Sequence, residues 1–142
     1  MKRKRIVKRV VVIVIVVLAL YLFWAVKVGY EVRKMVQISN EFYGANVLDS
    51  DNIPEDIYQS MCYRDDYTVN PENNPDVSED FRLSFPIALH WVTGAKVYYH
   101  YTYEITDVKT GECIGGSYDV PVELTVKVTP RGLIYTDYYE KP

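Results

Sequence analysis

Val10–Val26 is a run of seventeen residues whose one polar group is the phenol of Tyr21, and it follows a stretch, Met1–Arg9, with six basic residues and no acid. As a helix the run covers roughly 25 Å, and its extension to Tyr30 about 31 Å, against a hydrocarbon core of ~30 Å. The pattern therefore predicts a transmembrane anchor over residues 10–30. Lys27 falls inside it, and its long stem can reach back to the headgroups. Tyr21 and Trp24 suit the far interface, where amphipathic rings collect. Lys2, Arg3, Lys4, Arg5, Lys8 and Arg9 hold the amino end in the cytoplasm. The expected layout is a basic cytoplasmic tail (1–9), the anchor (10–30) and an extracytoplasmic domain (31–142), single-pass in the cell membrane. A cleaved secretory signal is the rival reading. It fits less well, because the apolar run is long and Ala19 and Ala25 are flanked by bulky residues.

Beyond the anchor the period changes twice. Val28, Val32, Met35, Val36 and Phe42 mark one face of a helix that continues over Lys27–Leu48, with Gly44 and the polar run Asp49–Asn52 to end it. Ile53–Cys62 reads as a second, short helix. Asn52 or Ser50 would cap it, Pro54 fits its first turn, and Glu55 and Asp56 suit its positive end. Tyr63–Asp80, with two prolines, three asparagines and six acids, reads as a loop. From Phe81 the period is two. Leu83, Phe85, Ile87, Leu89 and Trp91 form a first stripe, and Val97, Tyr99, Tyr101, Tyr103 and Ile105 a second. Ile114, Tyr118, Val120, Val122, Leu124, Val126 and Val128 form a third, and Leu133–Tyr139 makes a last strand. The expected fold is α+β: a transmembrane helix, then two helices packed on a curved four-stranded antiparallel meander with one face covered.

Face matching predicts the registers, since a one-residue slip turns every side chain over. A three- or five-residue loop around Gly94 puts the Leu/Trp stripe on the face of the Val/Tyr stripe. A four-residue loop Val108–Gly111 pairs Ile105 with Ile114 and Tyr101 with Tyr118, with Gly115-Gly116 bending the sheet opposite Tyr103. The last turn admits two registers. A type I turn with a glycine bulge covers Ile134, Thr136 and Tyr138, whereas a two-residue turn covers Leu133, Tyr135, Asp137 and Tyr139.

Two helices before a bent antiparallel sheet resemble the cystatin-like and NTF2-like folds. The ending Pro130–Glu140 is similar to the terminal strand of NTF2-like domains, in which a turn glycine precedes an alternating apolar strand with a Thr-Asp pair. Here Leu133 stands where that pattern usually has tryptophan. The resemblance implies a ligand pocket, a weak enzyme or an assembly protein, and fold alone does not choose among these.

Charge narrows the choice of partner. All 19 acids lie beyond Val26 with 10 of the 16 bases, so that part carries a net −9, against +6 for the first nine residues. Such a surface repels phosphate backbones, which excludes nucleic acid as an expected partner. It would suit a cationic partner or divalent ions, although an acidic surface is also ordinary for a soluble domain. Fourteen tyrosines are the compositional oddity. Tyr98, Tyr99, Tyr101, Tyr103, Tyr118, Tyr135, Tyr138 and Tyr139 fall on the sheet, where they offer contact area at low entropic cost.

No phosphate-binding glycine loop, nucleophile elbow or other cofactor motif is present. The expected function is thus a membrane-anchored extracytoplasmic binding or assembly module without catalysis. It would meet a protein through the tyrosine-rich sheet or the acidic surface. One alternative is a small-ligand pocket in the sheet's concavity, lined by Tyr99, Tyr101, Tyr103 and Tyr118 with Asp137 at its base; His90 or His100 would be that carboxylate's acid–base partner. Another is an immunity-type protein that blocks a toxin outside the membrane. Cys62 and Cys113 are a candidate disulfide, since export permits one. With His90 and His100 they also make a four-ligand set, but at spacings that match no compact zinc motif. Asp49–Asn52 begins like a calcium loop but lacks its later glycine and glutamate. Asp65, Asp66, Glu72, Asp76, Glu79 and Asp80 read as solvated loop charge.

Overall fold

The computed structural model describes residues 2–45, 51–64 and 74–141, with side chains from Arg5 onward. It is α+β, a long amino-terminal helix on an antiparallel sheet of five strands. The anchor and the first domain helix are one unbroken helix, α1 (Lys2–Glu41). Its residues from Val10 to Val26 are apolar and mostly exposed, and the helix is long enough and apolar enough to cross a membrane. From Val28 the same helix enters the core. Val28, Val32 and Val36 recur at one turn's spacing and are buried, with Ser39 and Asn40 beneath the last turn. The expected boundary at residue 30 therefore falls inside a rigid element. Tyr43 and Gly44 take left-handed backbone and end α1, and the Gly44 amide donates to the Ser39 carbonyl at 2.8 Å.

The second helix, α2 (Glu55–Ser60), follows Pro54 and buries Ile57 and Tyr58. Ser39 Oγ donates to the Tyr58 carbonyl at 2.9 Å, and Asn40 Nδ2 to that of Met61 at 2.8 Å. These bonds tie α2 to the end of α1. The Asp49–Ser50 half of the calcium-like stretch lies outside the described residues, as do Asp65, Asp66 and Glu72.

The strands are β1 (Val77–Leu83), β2 (Ile87–Trp91), β3 (Gly94–Asp107), β4 (Cys113–Thr129) and β5 (Gly132–Glu140). Their order is β1-β3-β4-β5, with β2 beside β1 along the same edge of β3. Val77–Asp80, read as loop, is thus strand. The stripe expected from Leu83 to Trp91 breaks in two. Leu83 pairs with Tyr101 but Ile87 with Tyr98, so three residues oppose two and the pleat reverses at Ser84–Pro86. Pro86 has no amide to offer the ladder. Beyond it Ala88 is buried while Ile87, Leu89 and Trp91 face outward. A two-residue turn, Val92-Thr93, joins Trp91 to its partner Gly94, in place of the odd loop expected.

Farther on, Ile105 pairs with Gly115 and Tyr101 with Val120, one and two residues away from the expected register, with one shift between Tyr101 and Tyr103 and a second between Ile105 and Thr106. Asp107 Oδ1 accepts the Lys109 and Thr110 amides at 2.7 and 2.9 Å and shapes the intervening turn. The last strand combines both expected registers. Thr129 pairs with Gly132 through a two-residue turn, which buries Leu133 and Tyr135. A bulge between Thr125 and Val126 partners then turns Tyr138 inward and Asp137 outward. The core is Val28, Val32, Val36, Met61, Val97, Tyr99, Val122, Leu124, Val126 and their neighbours, between the helices and one sheet face.

Candidate functional site

The expected site residues do not meet in one place. Tyr99 and Tyr101 are buried on the helix-covered face and Tyr103 is half-buried beside them. Tyr118 is exposed, its hydroxyl 3.4 Å from Cys113 Sγ, and Asp137 is exposed across from Thr125. The concavity itself is filled. Tyr63, read as loop, lies flat on Tyr101 with ring centroids 3.6 Å apart. Its hydroxyl is 2.9 Å from that of Tyr99 and 3.2 Å from that of Tyr138. Tyr138 reaches Glu140 Oε2 at 3.1 Å, and Tyr101 donates to Glu140 Oε1 at 3.2 Å. Burial, the larger cause, pushes the Tyr101 phenol up to about 12, and the neighbouring Glu140 carboxylate adds to the shift. Burial also raises Tyr63, Tyr99 and Tyr138. These phenols stay neutral at physiological pH and serve as a hydrogen-bonded core layer.

The histidines point to opposite faces, because the reversal at Pro86 turned β2 over. His100 is exposed, with Nδ1 2.9 Å from Asp119 Oδ1. His90 faces α1 and stacks on the Tyr21 ring at 4.2 Å between centroids, its Nε2 2.9 Å from the Tyr21 carbonyl. The two therefore share no site with each other or with Asp137. Cys62 and Cys113 are not joined here. Cys62 Sγ donates to the Arg64 carbonyl, and Cys113 Sγ to that of Gly115. No group of three or more His, Cys, Asp or Glu side chains among the described residues could hold a metal ion. Glu79 is buried against Arg64, whose guanidinium also lies over the Tyr43 ring. Burial raises the Glu79 carboxyl and outweighs the lowering by Arg64. Asp76 pairs with Lys109 and Asp80 with Arg82, both at the surface, where such pairs contribute little.

The open space lies elsewhere, at the anchor end of the sheet. A groove of about 550 Å³ runs between α1 and two hairpin tips. Tyr21, Trp24 and Val28 form one wall, His90, Trp91 and Val92 the second, and Val128, Thr129 and Pro130 the third. Apart from the imidazole, the Tyr21 phenol and Thr129 it is lined by apolar side chains. Val92 is 96% exposed at the tip of its hairpin, and Ile87, Leu89 and Trp91 continue an apolar stripe along the outer face of β2. The Val128 amide donates to the Thr93 carbonyl at 3.1 Å and ties one tip to its neighbour. Lys27 places its ammonium 4.9 Å from the centroid of Trp24 at the groove's upper end.

No family model, curated protein or solved structure matches this chain. Function has to be argued from its own geometry. The sequence does carry one overlooked signal for the groove. Trp91-Val92 is a bulky apolar pair at a hairpin turn, where polar residues are the rule, and the chain's two tryptophans are both in the groove wall.

Proposed function

We propose that the chain is a single-pass membrane protein whose carboxy-terminal domain is a non-enzymatic binding or assembly module held against the outer face of the cell membrane. The observation that carries this reading is the continuity of α1. One helix presents exposed apolar side chains as far as Val26 and buries Val28, Val32 and Val36 in the domain. A helix that is all apolar outside and unpartnered in water is stable in lipid. The basic residues before Val10 favour a cytoplasmic amino end. Because no flexible linker separates the two parts, whatever the domain binds is presented at a fixed height and angle above the bilayer.

The convex face of the sheet is the favoured contact surface. Tyr118, Ile114 and Tyr139 are exposed there or at its rim, beside the net negative charge of the domain. The architecture, a helix laid across a strongly bulged antiparallel sheet, supports a cystatin-like or NTF2-like relationship. The filled concavity supports an assembly role over a ligand-binding one. Affinity capture of the tagged full chain after mild detergent extraction tests the reading. A stoichiometric partner, lost on Tyr118→Ala or Tyr139→Ala, is expected. Recovery of the chain alone in several detergents contradicts it.

A further inference from the structure

We infer that the groove between α1 and the hairpin tips is immersed in the outer leaflet and holds the acyl chain of a membrane phospholipid. The inference rests on the anchoring proposed above, and adds that the domain itself enters the bilayer.

The argument begins with depth. Tyr21 and Trp24 belong to the apolar run that ends at Val26. Tyr21 is five residues inside that end, about 8 Å along the helix. His90 is bonded to Tyr21 and stacked on its ring, so the β2–β3 hairpin reaches to the same level. A bilayer that covers Val10–Val26 cannot stop short of Trp91 and Val92. The wall of the groove is the anchor's own surface, and the solvent for one is the solvent for the other.

The chemistry of the tips agrees. A turn facing water carries polar residues, whereas this one presents Val92 almost wholly bare, with Trp91 half-exposed beside it. Irregular backbone enters lipid only where its polar groups are satisfied. Here the Thr93 carbonyl accepts the Val128 amide, Trp91 pairs with Gly94, and the His90 ring is bonded to α1. Trp91 also folds back over its own hairpin. A Cβ on Gly94 would lie 2.8 Å from Trp91 Cζ2, so the glycine makes room for the indole.

The groove has room for a chain. Its volume lies within the range of ligand sites that enclose small molecules, and its lining is predominantly apolar. A smaller recess continues it past Lys27 and Glu31 toward Leu133. Lys27, whose ammonium lies over the Trp24 ring, provides a cation at this end for a lipid phosphate. The groove's polar end and its apolar end thus follow the order of a lipid in the outer leaflet.

Tryptophan quenching tests this directly, because the chain has two tryptophans and both line the groove. The full chain is reconstituted in phosphatidylcholine vesicles whose acyl chains are brominated at successive depths. Trp24→Phe leaves Trp91 as reporter, and Trp91→Phe leaves Trp24. The expected result is that Trp91 loses most of its emission to the bromolipids, at depths close to those that quench Trp24. Quenching of Trp24 with Trp91 unaffected by bromolipid and open to aqueous iodide overturns the inference while sparing the anchor. Trp91 shielded from both quenchers means that protein, such as a second copy of the chain, fills the groove, and also overturns it. Failure to quench either, with the chain left outside the vesicles, removes the anchor reading itself. Val92→Trp in the chain lacking both native tryptophans provides a second reporter at an exposed position. It is expected to quench at least as strongly as Trp91, and its quenching by iodide alone contradicts the proposal.

Discussion

Gly29 is the point at which the helix backbone touches the sheet. A Cβ there would sit 2.3 Å from the Pro86 carbonyl oxygen, closer than any real contact, and that oxygen belongs to backbone which cannot swing aside. Gly29→Ala is therefore expected to destabilise the domain by about 1–3 kcal/mol, the scale of other overpacking changes, despite alanine's better helix propensity. A lowered Tm in detergent checks it, and an unchanged or raised Tm contradicts the close approach. The tyrosine layer gives a second residue-scale expectation. Tyr101 is pushed up to about 12, and Tyr63, Tyr99 and Tyr138 are raised as well, from an ordinary value near 10. Above that ordinary value the unfolded chain releases these protons while the folded chain keeps them, so unfolding is favoured by rising pH. Stability should be flat with respect to these phenols below pH ~9 and fall from pH ~10 through 12. Denaturant midpoints across that range measure it. Tyr63→Phe should weaken the layer by about 0.5–1.5 kcal/mol, the net worth of an ordinary hydrogen bond.

At the scale of elements, α1 carries two environments in one helix. Val32 is fully buried and Val14 is exposed in the apolar run. Val32→Ala removes most of a buried side chain worth about 1.5–3 kcal/mol, and a Tm drop in detergent is expected. Val14→Ala should leave that Tm unchanged. Equal effects would contradict the division of the helix. Much of this element was legible beforehand, since uninterrupted apolar residues followed by a valine at each turn specify one helix with two solvents. The β3 stripe was legible too, because Val97, Tyr99, Tyr101 and Ile105 alternate without an insertion. The stripe from Leu83 to Trp91 misled for a physical reason. Ser84–Pro86 adds one residue to the edge, and alternation carries no mark of a bulge that keeps the pattern intact while turning it over. The same applies to Asp137, which the bulge in β5 moves to the outer face. Tyr63 joined the core from a polar stretch that offered no periodicity to place it.

For the whole molecule, the apolar Trp91-Val92 turn was the one trace of the groove in the sequence, because its walls come from residues near 21, 91 and 130, brought together by folding alone. The sidedness is an expectation that rests on the basic residues before Val10. If the amino end is cytoplasmic, exposed Cys113 should react with a membrane-impermeant maleimide on intact cells, and Cys113→Ser should abolish most of that labelling. Labelling that appears only after the cells are opened reverses the orientation. The joined helix adds a mechanical consequence. If α1 spans the membrane as proposed, anchor and domain turn as a unit, and a partner bound on the convex sheet would meet the membrane at one angle.

All of this depends on the exposed half of α1 residing in lipid and staying attached to the domain. An alkaline carbonate wash of membranes from cells making the full chain, followed by mass measurement of the retained protein, tests that most directly. The account predicts a pelleted species that keeps residues 10–26, near the full 16.5 kDa. Protein released into the wash, or a retained or secreted species lacking that stretch, would contradict it.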